Sequence, residues 1–152
     1  MQDFKYALRS HSESWNILLK DSEGPYSGSL FDTLRQGQRL PTHCKDSVFW
    51  MVQLMEAWFL ADPDALANYY GEGFNRRALR ASLDIEQVPK ADVYKKLAEA
   101  TRKTKKGKYD ETTKTTHAPD LLARIDPERV KQTSRNCHRM FETVQKRIAA
   151  WA

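Results

Sequence analysis

The stretch from Val48 to Asp64 reads VFWMVQLMEAWFLADPD and is apolar almost throughout, with the carboxylate of Glu56 set inside it. Burying a charge is costly unless the charge is paired, hydrogen-bonded or bound to a metal. The stretch is shorter than the run of about 20 apolar residues that spans a bilayer. Glu56 therefore lies either at the edge of a soluble core or in a functional site.

The composition indicates a folded domain of ordinary size. The chain has 152 residues, and we expect residues 1–152 to form one domain. Hydrophobic residues make up 40% and charged residues 30%, which favours a packed core over disorder. Six glycines and six prolines are too few for a turn-rich β-sandwich. The net charge of +5 suits nucleic acid or another polyanion as a partner, although many basic domains bind nothing anionic.

The two cysteines, Cys44 and Cys137, lie far apart and lack the spacing of a zinc site or of a disulfide framework. No stretch resembles a signal peptide or a membrane-spanning helix. The sequence therefore predicts a cytoplasmic protein that does not use a membrane as a partner.

The pattern of apolar and turn residues predicts few strands and many helices. Strands are expected over Asn16–Leu19 and Val48–Gln53, the second buried and followed by a helix over Met55–Leu60. Asp62 and Pro63 are typical of a helix start. Further helices are predicted over Asp3–Arg9, Pro89–Arg102, Pro119–Ile125 and after a cap at Ser134, with a brief turn over Leu30–Leu34 and a loop over Gln36–Ser47. In the last helix, spacings of three and four predict a core-facing row formed by Cys137, Phe141, Val144, Ile148 and Trp151.

Asp21 and Glu23 follow the first predicted strand at positions i and i+2. Both can direct oxygens into the cleft at the carboxyl end of a strand, where open α/β sheets bind ligands. Two carboxylates there suit magnesium, which combines a few carboxylates with water and phosphate oxygens. The alternative is a solvated turn in which Asp21 makes a local hydrogen bond.

Glu56 is the second candidate. If the second strand ends near Met55, Glu56 lies at the same sheet edge as Asp21 and completes a metal site or orients a water for catalysis. The alternative is a carboxylate that accepts hydrogen bonds from the backbone or from an arginine at a helix start.

A basic loop supplies the third set of candidates. Its residues, RKTKKGKY from Arg102 to Tyr109, include five cations that suit phosphate contact, and the ring of Tyr109 is available for stacking. Lys90 opposes the dipole of its predicted helix, which suggests a role in anion binding. The predicted phosphate-binding residues are Lys90, Lys105, Lys106, Lys108 and Tyr109. A solvated, mobile loop is the alternative.

Four segments together resemble a bacterial family known as domain of unknown function 4276. They are MVQLMEAWFLAD at Met51–Asp62, LLKDSEGP at Leu18–Pro25, VPKADV at Val88–Val93 and TKKGKY at Thr104–Tyr109. The resemblance implies a Toprim-like, helix-rich α/β fold with a small, mainly parallel sheet, related to nuclease domains. It assigns magnesium, or manganese as a substitute, to the acidic motif at Asp21 and Glu23. Members of the family often accompany ATPases in bacterial defence loci.

The chain departs from the family pattern at its start. Because the first strand and the glycine-rich acidic segment that the resemblance implies are not found in this sequence, we expect the chain to correspond to the C-terminal part of a Toprim-like domain and to leave a sheet edge open. One hypothesis is a magnesium-dependent nuclease or phosphoryl-transfer component acting on nucleic acid. The second is a catalytically incomplete interaction module that docks on a partner such as an ATPase or on itself. A third is a basic nucleic-acid binder without chemistry.

Overall fold

The computed structural model describes residues 1–25, 30–79 and 84–151. Its α-helices and strands follow one another along the chain as α1 Gln2–Ser10, β1 Leu18–Asp21, α2 Leu30–Gln38, β2 Val48–Met51, α3 Pro63–Tyr70, α4 Lys90–Thr101, α5 Lys114–Leu122, α6 Pro127–Thr133 and α7 Arg135–Trp151. Short 3₁₀-helices cover Thr42–Ser47, Met55–Ala61, Arg76–Leu79 and Ile85–Gln87. The prediction of a helix-rich α/β fold with a small parallel sheet is confirmed.

The sheet of the described residues consists of β1 and β2, which run parallel with Leu18 opposite Val48 and Asp21 opposite Met51. Within β2, Val48, Phe49 and Trp50 are all buried. Strands of parallel sheets are typically covered on both faces, and such strands are rich in large apolar residues. Because the strands are parallel, their carboxyl ends lie at the same edge of the sheet.

Two apolar clusters cover this sheet. The smaller joins α1 and α2 to β2 through Phe4, Phe31 and Trp50. The larger contains the 3₁₀-helix Met55–Ala61 together with side chains of α3 to α7. Val93 and Leu97, on the predicted core face of α4, are fully buried in the larger cluster.

The helix starts follow from capping side chains. Asp62 precedes α3, and its Oδ1 accepts a hydrogen bond from Ala65 N at 3.1 Å, which confirms the predicted cap. Ser134 Oγ accepts from Cys137 N at 3.0 Å and so caps α7, again as predicted. Ser134 Oγ in turn donates to Glu86 Oε1 at 2.6 Å, which ties the start of α7 to the 3₁₀-helix Ile85–Gln87.

Several predicted boundaries are wrong. The first strand was predicted over Asn16–Leu19 but is Leu18–Asp21, so Asp21 ends the strand and does not follow it, and the second strand ends at Met51 and not at Gln53. The turn over Leu30–Leu34 is a longer helix that ends at Gln38, and the second part of the predicted loop is the 3₁₀-helix Thr42–Ser47. Helix α5 begins at Lys114 and not at Pro119, which lies inside it. The amides of Thr112 and Thr113 donate to Asp110 Oδ1, and this turn leads into α5 ahead of the proline.

The end of α7 also differs from the prediction. Cys137 is buried and Phe141 packs against the larger cluster, but Ile148 is 58% and Trp151 66% exposed. Their spacing is helical as expected, yet α7 continues past the elements of the described chain that cover its first half. None of the described helices combines the length and the apolar character that crossing a bilayer requires.

Candidate functional site

A cleft of about 440 Å³ lies at the carboxyl ends of the two strands. It brings together four of the predicted site residues, Asp21, Glu23, Glu56 and Lys90. The remaining lining residues are Met51, Leu54, Met55, Tyr94, Lys114, Thr115, Ala118, Pro119 and Leu122. Residues from both strand ends, the 3₁₀-helix Met55–Ala61, α4 and α5 therefore meet here. We call this the carboxylate cleft.

Asp21 is the last residue of β1 and is partly buried in the carboxylate cleft. Its Oδ1 accepts a hydrogen bond from Met55 N at 2.8 Å, which fixes the side chain against the start of the 3₁₀-helix. Burial raises the pKa of this carboxyl, and the charges of Glu56 and Glu23 raise it further against the opposing hydrogen bond. Asp21 therefore sits where negative charge is in excess.

Glu23 has a backbone φ of 64°, in the left-handed region that residues other than glycine seldom adopt. Its amide donates to Gln53 O at 2.8 Å, and its Oε2 pairs with Lys90 Nζ at 2.7 Å. The hydrogen bond from Lys90 lowers the pKa of the Glu23 carboxyl. Gln53 Oε1 also accepts from Lys90 N at 3.1 Å, so one buried glutamine joins the ends of both strands to the start of α4.

Glu56 is only 4% exposed, and two tyrosine hydroxyls donate hydrogen bonds to its carboxylate. Its Oε1 accepts hydrogen bonds from Tyr109 at 3.1 Å and from Tyr94 at 3.3 Å. Burial, followed by the charge of Glu56, raises the pKa of both phenols, so they remain donors at neutral pH. The anticipated partners were the backbone or an arginine, whereas the hydrogen-bond partners in the described chain are phenols.

The predicted phosphate-binding residues do not all meet in one place. Lys90 lines the carboxylate cleft, while Lys105 pairs with Glu72 at 3.3 Å and Lys108 with Asp110 at 3.1 Å. Lys106 Nζ lies 4.5 Å from the centre of the Tyr69 ring. All these cations keep partial exposure, and their contact with phosphate stays a prediction.

The prediction that Tyr109 stacks on a ligand is wrong, because its side chain is fully buried. Its ring meets Phe59 edge to face, and its amide donates to Thr101 Oγ1 at 2.7 Å. Thr104 Oγ1 donates to Thr101 O at 2.8 Å. Buried threonines therefore close the base of the basic loop, and Tyr109 is the anchor of that loop and not part of its exposed surface.

Sequence reasoning missed two residues that line the carboxylate cleft, Tyr94 and Lys114, and one that supports it from beside the cleft, Gln53. Tyr94 lies one helical turn after Lys90 on α4, a spacing that places both on one face. Lys114 pairs with Glu111 at 2.6 Å and was obscured by the late start predicted for α5. No local sequence pattern marks Gln53, because its hydrogen bonds join Glu23 after the first strand to Lys90 at the start of α4.

The donor set for a metal is small. Within residues 1–25, 30–79 and 84–151, no three histidine, cysteine or acidic side chains gather into a potential metal site. The hydrogen bonds of these residues engage Asp21 Oδ1 and Glu56 Oε1, and leave Asp21 Oδ2 and Glu56 Oε2 for a cation or solvent. Two carboxylates fit a magnesium ion whose other ligands are water and phosphate oxygens.

The fold and the carboxylate cleft define a helix-rich α/β protein with acidic and basic side chains at the carboxyl ends of two parallel strands. The profile of the family described as Domain of unknown function (DUF4276) matches residues 1–145. The chain belongs to this family, as its sequence segments suggested. No curated protein and no solved structure matches the chain.

Proposed function

We propose that the carboxylate cleft is a magnesium-dependent site for phosphoryl transfer on nucleic acid, most simply a nuclease site. The observation that carries this proposal is the position of Asp21, partly buried at the carboxyl end of a parallel strand beside Glu56 and Glu23. Ligand sites of open α/β sheets lie at these strand ends. Burial and, to a lesser extent, the charges of Glu56 and Glu23 raise the pKa of Asp21, and a divalent cation there would stabilise its ionised form.

Asp21 and Glu56 are the residues that would hold the metal, through the oxygens left free by their hydrogen bonds. When bound, magnesium polarises a phosphoryl oxygen and lowers the pKa of a bound water. Two phenols hold Glu56 through Oε1, which would keep its Oε2 in place as a metal ligand.

Cations beside these carboxylates support a phosphate ligand. Lys90 and Lys114 both line the carboxylate cleft, and both are ion-paired there with glutamates, Glu23 and Glu111. These are exposed pairs, which contribute little to stability and exchange readily for another anion. A phosphate could replace either glutamate as the partner of its lysine at the cleft. In addition, the net charge of +5 favours the approach of a polyanion.

Calorimetric titration with Mn²⁺ and Mg²⁺ tests this function together with a cleavage assay on DNA and RNA oligonucleotides. We expect the parent protein to bind the metal and Asp21→Asn to lose that binding. Cleavage should fall by about 100-fold or more, because a metal contributes several kcal/mol to such a reaction. Asp46→Asn, which changes an exposed carboxylate outside the cleft, serves as the matched control. Absence of metal binding by the parent protein would exclude the proposal.

Asp21→Asn separates loss of function from loss of fold. Because the folded state raises the pKa of Asp21, its contribution to stability is full below the unfolded value near 3.8 and is lost as the pH rises through the folded value. Asparagine does not ionise and still accepts the hydrogen bond from Met55. The variant should therefore be at least as stable as the parent at neutral pH, as measured by urea unfolding.

A second candidate function is docking on another copy of the chain or on a partner protein such as an ATPase. The exposure of Ile17, at 43%, and Leu19, at 38%, favours it, because both lie on or beside β1 at an edge without a third described strand. Unpaired strand edges with apolar side chains are templates for pairing.

Analytical sedimentation, which reports the association state of the protein, tests the docking function. We expect the parent to associate and Leu19→Asp to remain monomeric or to lose its partner, because a charge at the edge opposes strand pairing. Ile148→Asp, at a more exposed apolar position on α7, should change nothing if β1 is the docking edge. Association should also survive Asp21→Asn. A monomeric parent that recovers no partner in a pull-down would rule this function out.

A further inference from the structure

A second cavity lies between α2, β2 and the first turns of α7. Its volume is about 330 Å³, which is in the range of small-molecule sites. Three cations line it, Lys45, Arg135 and Arg139, together with the aromatic side chains of Phe31 and Trp50. In the described part of the chain it shares no lining residue with the carboxylate cleft. We call it the arginine cavity.

The guanidinium of Arg139 is held in place before any ligand binds. Its Nη2 donates to Val48 O at 3.0 Å, and its central carbon lies 5.3 Å from the centre of the Phe49 ring. A guanidinium has several N–H donors, and the bond to Val48 is the one hydrogen bond that Arg139 makes among the described residues. Donors therefore remain for an anion, and a side chain already fixed by packing loses less conformational entropy when it binds one.

Arg135 adds a second guanidinium to the same cavity. It precedes Arg139 by one helical turn, a spacing that places both side chains on one face of α7. Neither arginine is ion-paired with a carboxylate of the described chain, whereas Arg129 pairs with Asp64 at 2.7 Å. The positive charge of the two arginines is thus available to a ligand.

Two carboxylates also line the cavity, but both are engaged by the start of a helix. Glu86 accepts hydrogen bonds from Ser134 Oγ, Asn136 N and Asn136 Nδ2 at 2.6 to 3.1 Å. These donors lie at the start of α7, where the helix dipole supplies partial positive charge that offsets the charge of Glu86. Asp84 Oδ1 accepts from Glu86 N at 2.9 Å and caps the 3₁₀-helix Ile85–Gln87. The three cations therefore leave the cavity with an excess of positive charge.

We propose that the arginine cavity binds a small phosphate monoester whose organic part is an apolar or aromatic group. Arg135 and Arg139 bind the phosphate oxygens, because guanidinium N–H groups match phosphate with paired hydrogen bonds. Lys45 supplies a third positive charge, which suits a phosphate monoester, close to dianionic at neutral pH, better than a singly charged carboxylate. Phe31 and Trp50 form the wall for the organic part. This binding needs neither a metal nor the carboxylate cleft.

Phenyl phosphate is a suitable probe, and inorganic phosphate, phenol and benzoate are its comparison ligands. Calorimetric titration without divalent metal measures their affinities. We expect phenyl phosphate to bind the parent protein more tightly than each of the others, because it alone joins a dianionic group to a ring. In proton–nitrogen NMR spectra it should shift the indole signal of Trp50, whose side chain lines the cavity.

The variant Arg135→Gln removes one guanidinium and breaks no hydrogen bond of the described chain, so we expect it to fold. Its affinity for phenyl phosphate should be about 10-fold to 100-fold weaker, the effect of losing a hydrogen bond to a charged group. Arg139→Lys keeps the charge and loses the forked donor geometry, and it should also weaken binding. Arg77→Gln, which changes an exposed arginine outside the cavity, is the matched control and should bind like the parent.

Absence of phenyl phosphate binding to the parent at millimolar concentrations would overturn the proposal. So would an unchanged affinity in Arg135→Gln, or an affinity for benzoate equal to that for phenyl phosphate. Lys114→Gln, in the carboxylate cleft, should bind phenyl phosphate like the parent. Loss of binding in that variant would place the phosphate in the carboxylate cleft and would also overturn the proposal. If Arg135→Gln does not fold, the order of ligand affinities and the Trp50 signal of the parent decide the question.

Discussion

Replacement of Phe59 by alanine is expected to lower the free energy of unfolding by about 3–5 kcal/mol, the range for deletion of a buried phenylalanine ring. Phe59 is fully buried in the larger cluster, where its ring packs edge to face against Tyr109 at 6.0 Å. The loss removes apolar contacts and opens a cavity beside the phenol that holds Glu56. Since small domains are stable by about 5–15 kcal/mol, the variant should be close to unfolding.

Urea unfolding followed by circular dichroism measures this effect. Ile148→Ala is the matched control, because Ile148 is apolar but 58% exposed on α7. We expect it to change stability by less than about 0.5 kcal/mol. Similar losses for the two variants would contradict the described core and would indicate that the second half of α7 is covered in solution.

Removal of Asp62 is expected to have the second-largest effect on stability, about 2–4 kcal/mol for Asp62→Ala. One carboxylate, 4% exposed, serves two helices: Oδ1 caps α3, and Oδ2 accepts from Asp126 N at 2.9 Å, just before α6. Asp62 also pairs with Arg129 at 3.2 Å. Alanine leaves two amides without their acceptor, the buried amide of Ala65 and the partly buried amide of Asp126.

Asp64→Ala tests whether the stability lost on removing an aspartate depends on how deeply it is buried or on how many ion pairs it makes. Asp64 pairs with Arg76 and Arg129, and these hydrogen bonds hold the pKa of its carboxyl at about 2. Its side chain is nevertheless 42% exposed, so solvent screens both pairs. Thermal unfolding should show a much smaller loss for Asp64→Ala than for Asp62→Ala. Equal losses would mean that ion pairing outweighs burial here.

Local sequence signals predicted the elements whose determinants lie close together in the chain. Asp62 and Pro63 mark the start of α3, and the apolar spacing of Val93 and Leu97 marks the buried face of α4, because capping and helical periodicity act over a few residues. The meeting of Asp21 and Glu56 also followed from a local rule, since both were expected near the carboxyl ends of adjacent strands.

The rest of the carboxylate cleft depends on contacts between distant segments. Glu56 is satisfied by tyrosines 38 and 53 positions later in the chain, and no local pattern connects them. Tyr109 follows a run of cations that is typical of an exposed loop, yet packing against Phe59 buries it. Similarly, helical spacing correctly places Ile148 on the same face of α7 as Cys137 and Phe141. That spacing cannot indicate how far along α7 other elements cover this face.

The closed base of the basic loop bears on how that loop meets a polyanion. Buried threonine hydroxyls and the Tyr109 anchor hold both ends of the loop, so its backbone is confined before any ligand arrives. A confined loop loses less conformational entropy on association than a free one. Tyr109 directly follows Lys108, and neighbouring Cα atoms stay about 3.8 Å apart. The basic loop and the carboxylate cleft share one buried side chain, because the Tyr109 hydroxyl donates to Glu56 Oε1.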